Sequence, residues 1–217
     1  MSRLLVTPDV HGRDFWIEPC EKYVNEVDKI IFLGDYHDPY PFQVSKEVSR
    51  HMLRDKLIPF VNEHNCICLF GNHDGNYLLQ HEMANRIDTF HHDEIKKYLE
   101  QLNLRLIYKE DDVLFSHSGV LPGWLCNYNL TLEDLENASL ELPALRAVSM
   151  YRGGRSKYGS CVWGDVREYY KEEHIPDLYQ VFGHTQLKDA LIEKDFACLD
   201  CRKAFIIDTV THEINEC

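Results

Sequence analysis

Short apolar runs recur along the chain, and most of them stop abruptly at glycine, asparagine or a charged residue. Runs bounded in this way are typical of buried strands that end in tight loops. The clearest of them cover residues 3–7, 29–33, 67–70 and 179–182. Residues 104–109 and 112–116 alternate apolar and polar side chains, which predicts two strands joined by an acidic turn. Strand patterns return at residues 189–192, 204–207 and 210–214.

Apolar residues spaced three or four apart predict helices over residues 15–27, 43–63, 74–83 and 93–102. Asp14 is expected to cap the first helix, and Pro59 to end or bend the second. The patterns weaken over residues 121–170, where Trp124 and residues 132–140 suggest short helices and residues 152–164 predict a long loop. This order of elements predicts an α/β (α+β) fold in a single domain, residues 1–217, with an early βαβ half, a more antiparallel second half and an insertion at about 121–170.

The charge balance narrows the range of partners. The 217 residues carry 23 Lys and Arg against 36 Asp and Glu, a net charge of −13. This surplus argues against nonspecific binding to a nucleic-acid backbone, which depends on cations. The start of the chain resembles neither a signal peptide nor a membrane span, so we expect a cytoplasmic protein that does not bind membranes.

The eight cysteines are expected to be reduced thiols rather than a disulfide framework. Cys198 and Cys201 form a CxxC pair, but a structural zinc site would need a second pair brought together with it in space. The pattern leaves the role of this pair open.

Metal-competent side chains follow five of the apolar runs, at the point where each run ends. They are Asp9, His11, Asp35, Asn72, His117 and His184. Any one of them could belong to a simple polar turn, but ligands in parallel-sheet proteins gather beyond the carboxyl ends of the strands. Five such ends in one chain therefore favour a metal site. The other histidines, including His37, are expected on the surface or on helix faces.

Oxygen and imidazole donors in this mixture suit Mn, Fe, Zn or Ni better than Ca. Six donors are more than one catalytic ion with an open position requires. The sequence therefore predicts two divalent ions bridged by a carboxylate, with Mn as the first expectation.

Five short motifs carry a resemblance to a known family. DVHG at 9–12, GDYHD at 34–38, GNHD at 71–74, SHSG at 116–119 and GHT at 183–185 resemble the five ordered motifs of the calcineurin-like metallophosphoesterases. The chain is most similar to bacterial phosphatases of the PPP type, which are Ser/Thr phosphoprotein phosphatases. The resemblance implies a four-layer α/β/β/α metallophosphoesterase sandwich whose substrate side includes the segment at about 121–170.

The resemblance also implies a division of the ligands. Asp9 and His11 would bind one metal and Asp35 would bridge both. The second metal would be completed by Asn72, His117 and His184.

His73 and Asp38 match the acid pair of the family. The resemblance implies that a hydroxide bridging the two metals attacks phosphorus in line and that His73 protonates the departing oxygen. Asp38 would orient His73 and favour its imidazolium form.

Three departures from the family pattern bear on the substrate. Pro39 and Tyr40 stand where many members continue with Arg-Gly, so one phosphate-binding arginine is missing. Gln186 stands where many phosphodiesterases of the superfamily have a second histidine, which favours phosphomonoesters. Asp74 replaces a more common glutamate, and we expect the effect of this change to be mild.

Another cation is expected to replace the missing arginine. Residues 142–164 contain no Asp or Glu and carry several basic residues. Arg152 is the first candidate for binding phosphate, followed by Arg13 and Arg155, since arginine suits bidentate contact with phosphate oxygens. The alternative is that this basic segment forms salt bridges elsewhere.

The expected function is metal-dependent hydrolysis of phosphomonoesters, with phosphoserine or phosphothreonine in proteins as the leading substrate. One alternative is hydrolysis of a nucleotide anhydride or phosphodiester such as a dinucleoside tetraphosphate. Another is a non-catalytic interaction scaffold, which the complete ligand set disfavours because clustered buried carboxylates are costly. The oligomeric state remains open.

Overall fold

Two five-stranded mixed sheets form the centre of the protein in the computed structural model, which describes residues 2–79 and 84–217. The strands are β1 (Arg3–Thr7), β2 (Lys29–Phe32), β3 (Cys66–Cys68), β4 (Ile107–Glu110), β5 (Val113–Ser116), β6 (Tyr179–Phe182), β7 (Leu191–Ile192), β8 (Phe196–Cys198), β9 (Phe205–Asp208) and β10 (Ile214–Glu216). The first sheet has the order β10-β9-β1-β2-β3, and the second has the order β4-β5-β6-β8-β7.

Each sheet has three adjacent parallel strands bordered by antiparallel ones. In the first sheet β1, β2 and β3 are parallel, β9 is antiparallel to β1, and β10 is antiparallel to β9. In the second sheet β5, β6 and β8 are parallel, with β4 and β7 antiparallel at the edges. The candidate ligands follow the carboxyl ends of five of these six parallel strands, all except β8.

Helices cover the outer faces of the sheets. They are α1 (Ile17–Tyr23), α2 (Lys46–Met52), α3 (Ile58–Glu63), α4 (Gly75–Leu78), α5 (His92–Leu99), α6 (Pro122–Tyr128), α7 (Leu132–Asn137) and α8 (Val166–Tyr169). Short 3-10 turns occupy Thr89–His91, Glu100–Leu102, Pro143–Arg146 and Met150–Arg152. None of the helices in the described ranges is long and apolar enough to cross a membrane.

Successive side chains of a strand point to opposite faces of its sheet, so each sheet packs against the other sheet on one face and against helices on the other. On β1, Leu4 and Val6 pack between the sheets together with Val113 and Phe115 of β5, whereas Leu5 faces the helices on the outer side. The apolar cores outside the second sheet include residues of α6, α7 and α8. The expected four-layer α/β/β/α sandwich of two sheets and flanking helices is confirmed.

The long helix predicted over 43–63 forms, but it is not uniform. Ser45 caps its start by accepting a hydrogen bond from Val48 N at 3.1 Å. The chain then passes through a π-helical stretch, Leu53–Leu57, before continuing as α3 to Glu63. Pro59 does not end the helix: it lies just after the π-helical stretch, where the Ile58 N–H already bonds the carbonyl of Leu53, five residues back.

Several predicted boundaries were wrong. The first helix begins at Ile17 without a side-chain cap from Asp14, because residues before Trp16 form turns that bury this indole against Phe32. The end of the helix predicted over 74–83 lies outside the described residues, and α4 covers Gly75–Leu78. The strand predicted at 210–214 begins only at Ile214. The Asp208 carboxylate accepts hydrogen bonds from the backbone N–H groups of Val210 and Thr211, and these bonds hold the chain in a turn. The sequence patterns also missed β8.

Candidate metal centre

Six polar side chains from five strand ends lie together at one edge of the two sheets. Asp9 and His11 follow β1, Asp35 follows β2 and Asn72 follows β3. His117 and His184 follow β5 and β6 of the second sheet. All six are buried, and the most exposed of them, His184, has only 5 % of its surface accessible. The structure therefore brings together every side chain that the sequence predicted as a metal ligand.

Glycines in the motifs make this convergence possible. Gly34 has a φ of +113°, and a Cβ there would lie 2.8 Å from the backbone N of Gly71 and 3.0 Å from His117 Nδ1. A Cβ on Gly71 would lie 2.2 Å from Asp35 Oδ1. Any larger residue would push the loops after β2 and β3 apart, so the glycines permit their close approach.

Asp74 holds the same two loops together. Its carboxylate accepts hydrogen bonds from the backbone N–H groups of Gly71, Asp35 and Tyr36 at 2.8, 2.9 and 3.0 Å. The residue that replaces the more common glutamate thus bridges the loops that carry Asp35 and Asn72.

The donor atoms form two groups that share one residue. Oxygen and nitrogen atoms of Asp9, Asp35, His117 and His184 lie within 4.8 Å of one another, and so do those of His11, Asp35 and His73. Asp35 Oδ2 lies 3.5 Å from His11 Nε2 and 3.6 Å from His117 Nε2. Asp35 is therefore between the two groups.

Hydrogen bonds from behind the site orient the imidazoles. His11 Nδ1 is 2.9 Å from the carbonyl of His37, and His117 Nδ1 is 2.8 Å from the carbonyl of Leu33. A carbonyl can only accept, so each Nδ1 carries the proton and each Nε2 presents a lone pair to the centre. His184 Nε2 is buried without a hydrogen-bond partner among the described residues.

The electrostatics of this cluster also fit a cation. Burial raises the pKa of Asp35 to about 7, and the negative charge of Asp9 adds to the effect. Burial lowers the pKa of His11 and of His184, so that both favour the neutral form. Clustered carboxylates are costly without a counter-charge, while neutral imidazoles and carboxylates are good ligands for divalent metals. The residues present therefore fit a divalent metal site.

His73 and Asp38 form a pair beside the donor groups. His73 Nδ1 lies 3.0 Å from Asp38 Oδ2, and the backbone N–H of His73 donates to Asp35 Oδ1 at 2.8 Å. Burial alone would raise the pKa of Asp38, but hydrogen bonds from His73, Tyr77 and Asn76 outweigh it and hold the pKa below its ordinary value. Asp38 is thus a charged acceptor that orients the His73 ring.

A cavity of about 720 Å³ opens above the cluster. Beyond the candidate ligands and His73, its walls include Tyr40, Asn85, Arg86, Tyr151, Arg152 and Trp163. Trp163 packs edge-on against His184 at a ring distance of 5.5 Å. Arg152 Nη1 lies 3.7 Å from Asp165, so this guanidinium reaches the cavity while it is paired with a carboxylate.

The other two arginines proposed for phosphate binding do not line the cavity. Arg13 is buried behind the site and donates hydrogen bonds to the carbonyls of Asp9 and Val10 at 2.6 and 3.1 Å. It supports the backbone of a ligand-bearing loop. Arg155 is exposed and is absent from the cavity walls.

Two polar residues near the site, Asp200 and Arg86, escaped the sequence patterns. Asp200 follows the unpredicted strand β8, is 3 % exposed and has a raised pKa because of burial and the charge of Asp9. The run FACLD carries the same signal as the other strand ends and could have revealed it. Arg86 had no such signal, because it lies in a loop far from any strand end.

His37 was expected on the surface, and this expectation was wrong. Its side chain is 1 % exposed, with Nδ1 2.7 Å from Ser49 Oγ. Burial lowers the pKa of His37 to about 4, so the ring is neutral. The motif GDYHD turns sharply after Asp35, and the turn directs His37 toward α2 rather than toward solvent.

Cys198, part of the CxxC pair, lies behind the loop that carries His184. Its Sγ is 3.4 Å from the carbonyl of Gly183, and burial raises the pKa of the thiol. All eight cysteines of the chain are free, as expected.

Comparison with known proteins identifies the family. The family model of calcineurin-like phosphoesterases matches residues 2–187, which is most of the chain, and the protein belongs to that family. It is accordingly a metal-dependent phosphoesterase.

Solved structures of similar fold include phosphatases from different organisms. A cold-active protein-tyrosine phosphatase of a psychrophilic Shewanella species aligns with 100 % of this chain and 80 % of its own, at 16 % identity and a TM-score of 0.62. A protein serine/threonine phosphatase from Saccharomyces cerevisiae aligns with 95 % of this chain and 72 % of its own, at 16 % identity and a TM-score of 0.55. A hypothetical protein of Pyrococcus horikoshii aligns with 100 % of this chain and 87 % of its own, at 10 % identity and a TM-score of 0.51. At these identities the likeness concerns the fold. No curated protein matches the sequence significantly.

Proposed function

We propose that this protein hydrolyses phosphomonoesters with two divalent metal ions. The observation that carries the proposal is the place of Asp35 between two groups of buried donors. Two ions held close together by a shared carboxylate are a common arrangement in phosphatases.

The two proposed ligand sets share Asp35. Asp9 belongs to the donor group of His117 and His184, but its Oδ2 also lies 4.0 Å from His11 Nε2, so Asp9, His11 and Asp35 would hold one ion. Asn72, His117 and His184 would complete the set around the other. When bound, the ions supply Lewis acidity that activates water and offsets the charge of the phosphate. The mixture of oxygen and imidazole donors suits Mn, Fe, Zn or Ni, and Mn is the metal that we propose first.

His73 is the proposed general acid, and Asp38 is its positioning residue. Nδ1 of His73 faces Asp38, which leaves Nε2 directed to the cavity, where a leaving oxygen would lie. Arg86 Nη2 donates a hydrogen bond to this Nε2 at 3.1 Å, so the nitrogen is an acceptor in this geometry. Before His73 can act as an acid, the guanidinium must leave Nε2 and this nitrogen must take up a proton from solvent, which it then donates to the leaving oxygen.

Phosphomonoesters are the proposed substrate class because the chain has Gln186 where many phosphodiesterases of the superfamily have another histidine. The cavity also offers guanidinium groups to a phosphate that carries nearly two charges. Arg152 is the candidate from the basic segment that this proposal retains. Phosphoserine or phosphothreonine in proteins is the leading physiological substrate, and folds of this kind include a serine/threonine phosphatase.

The test compares substrates on protein of known metal content. Protein purified and reconstituted with Mn should release phosphate from p-nitrophenyl phosphate and from a phosphoserine peptide, and elemental analysis should find two ions per chain. Faster cleavage of bis-p-nitrophenyl phosphate or of a dinucleoside tetraphosphate would favour the diester or anhydride alternative. No turnover with Mn, Fe, Zn or Ni would favour the non-catalytic scaffold.

A further inference from the structure

Arg86 brings a second guanidinium to the cavity, next to the proposed general acid. Its Nη2 lies 3.1 Å from His73 Nε2, and its Nε donates to the carbonyl of Asp38 at 3.2 Å. The side chain is half-buried and forms part of the cavity wall. Arg86 is thus held at the edge of the site by the same two residues that form the acid pair.

The ring of Tyr40 packs against this guanidinium. Arg86 Cζ lies 3.9 Å from the centroid of the Tyr40 ring, a distance typical of a stacked cation–π contact. The Tyr40 ring also packs edge-on against His11 at 5.0 Å. Tyr40 comes two residues after Asp38, in the loop that lacks the usual arginine. The loop therefore carries no arginine of its own, but its Tyr40 ring packs against Arg86 from another part of the chain.

The positive charge of Arg86 is available to a ligand. Within residues 2–79 and 84–217, no carboxylate forms an ion pair with it, whereas Arg152 lies 3.7 Å from Asp165. A guanidinium presents several donors in a plane that matches phosphate oxygens, and an unpaired one in a cavity attracts anions.

The backbone at Arg86 is also unusual. Its φ of +73° lies in the left-handed region, which residues with a Cβ adopt at a cost. Strain of this kind persists where the surrounding structure fixes it, and it is frequent at ligand-binding sites. Here the unfavourable conformation places the side chain over Tyr40.

From these contacts we propose that Arg86 is a phosphate-binding residue, and that it supplies the guanidinium missing after Asp38. The proposal rests on the phosphomonoesterase function proposed above. Phosphate oxygens in the cavity draw the guanidinium away from His73 Nε2 and take its hydrogen bonds. This exchange leaves Nε2 free to face the leaving oxygen.

The test uses inorganic phosphate as the probe and three variants of the metal-loaded protein. Arg86→Ala removes the guanidinium, and Arg86→Lys keeps the charge without the planar pair of donors. Arg146→Ala is the matched control, because Arg146 is an exposed arginine that does not line the cavity. Phosphate affinity is measured by calorimetry and as a competitive inhibition constant, with metal content and melting temperature recorded for each protein.

We expect Arg86→Ala to weaken phosphate binding roughly tenfold or more, since a hydrogen bond to a charged group contributes that much affinity. Arg86→Lys should be intermediate and Arg146→Ala unchanged. An affinity within about threefold of wild type in Arg86→Ala, with metals and melting temperature retained, would overturn the proposal.

A second variant covers the case in which Arg86→Ala disturbs the site as a whole. If Arg86→Ala loses metal or stability, Tyr40→Leu replaces it as the test, because it removes the ring that packs against Arg86 and should weaken phosphate binding in the same direction. Unchanged affinity in Tyr40→Leu would then overturn the role of Arg86.

Two further outcomes separate the inference from the proposed function. If the wild-type protein binds phosphate and hydrolyses monoesters while Arg86→Ala behaves identically, the inference fails and the function stands. If the wild type neither binds phosphate nor hydrolyses monoesters, both fail.

Discussion

Asp35 occupies the position on which the proposed pair of metals depends. Its carboxylate lies 3.5 Å from His11 Nε2 and 3.6 Å from His117 Nε2, so a single oxygen faces both groups of donors. The residue is 1 % exposed, and no other described carboxylate belongs to both donor groups. A change at this position should therefore affect both metals together.

We predict that Asp35→Asn depletes both ions. An amide carries no negative charge and is a poor bridge, so affinity should fall at each site. Elemental analysis of the purified variant checks this, with circular dichroism as a control for folding. Retention of one full equivalent of metal would contradict a bridging role.

His73 lies one residue from a proposed ligand, yet its contacts differ from those of a ligand. It faces Asp38 through Nδ1 and Arg86 through Nε2. We predict that His73→Asn lowers kcat roughly 10²- to 10⁴-fold, the usual contribution of a general acid, and leaves the metal content intact. Rates with p-nitrophenyl phosphate and elemental analysis on the same sample test this.

A role of His73 as a metal ligand would give a different result in the same experiment. His73 shares a donor group with His11 and Asp35, so it could also bind metal. Loss of metal from His73→Asn would identify it as a ligand. Asp38→Asn provides a control, because it should lower kcat by disturbing the orientation of His73 while both ions remain bound.

Individual residues differ in how far the sequence could predict them. Asp9, Asp35 and His117 each follow an apolar run directly, and a strand end positions its own next residues. Arg86 could not be predicted in this way, because it follows no described strand directly and contacts His73 from 13 residues further along the chain. The burial of His37 likewise depends on α2, which supplies Ser49 as its partner.

At the scale of elements, capping decides where several short helices begin. Thr131 accepts a hydrogen bond from Asp134 N, and the Asp134 carboxylate accepts one from Thr131 N, which forms a capping box at the start of α7. Asp165 and Glu168 form an equivalent box at α8. The Glu168 carboxylate also accepts a hydrogen bond from Gly159 N at 2.9 Å and so ties the loop that follows Arg152 to this helix.

We predict that Thr131→Ala lowers the free energy of unfolding by about 1 kcal/mol, the usual effect of losing an N-cap side chain. Urea denaturation measures the change. Thr131→Ser keeps the accepting hydroxyl and should differ little from wild type. Because α7 packs on the outer face of the second sheet, kcat should not change, and a large loss of activity would show that the helix is coupled to the site.

Elements with strong patterns were easier to predict than those fixed by long-range contacts. The strands at 3–7 and 179–182 match the structure because they are buried on both faces and carry a continuous apolar signal. Strand β8 has only three residues, so its apolar signal is short, and its position between β6 and β7 is defined by pairing. The turn at Asp208 also overrides a local strand pattern through side-chain hydrogen bonds.

At the scale of the whole molecule, the proposed metal centre lies at an edge common to the two sheets and should link them. The proposed ligands follow β1, β2 and β3 of the first sheet and β5 and β6 of the second. Metal bound to the folded protein alone stabilises it in proportion to the logarithm of its free concentration. The centre should therefore contribute to stability as well as to catalysis.

We predict that removing both metals with EDTA lowers Tm by about 10–20 °C, or about 5–10 °C per site, relative to protein held at about 100 times the dissociation constant of each site. Adding Mn back should restore the original value. Asp35→Asn serves as the control, because a variant without metal should show no further decrease in EDTA. An unchanged Tm in the wild-type protein would contradict a buried metal site that links the sheets.

The sequence by itself determined the candidate ligands and their places at strand ends, because both depend on a few neighbouring residues. It also indicated the class of fold through the alternation of strands and helices. Tertiary structure alone decided that β8 inserts beside β6 and brings Asp200 near Asp9, and that Arg86 lies over Tyr40. These contacts join segments far apart in the chain, and their energies depend on packing that no local pattern records.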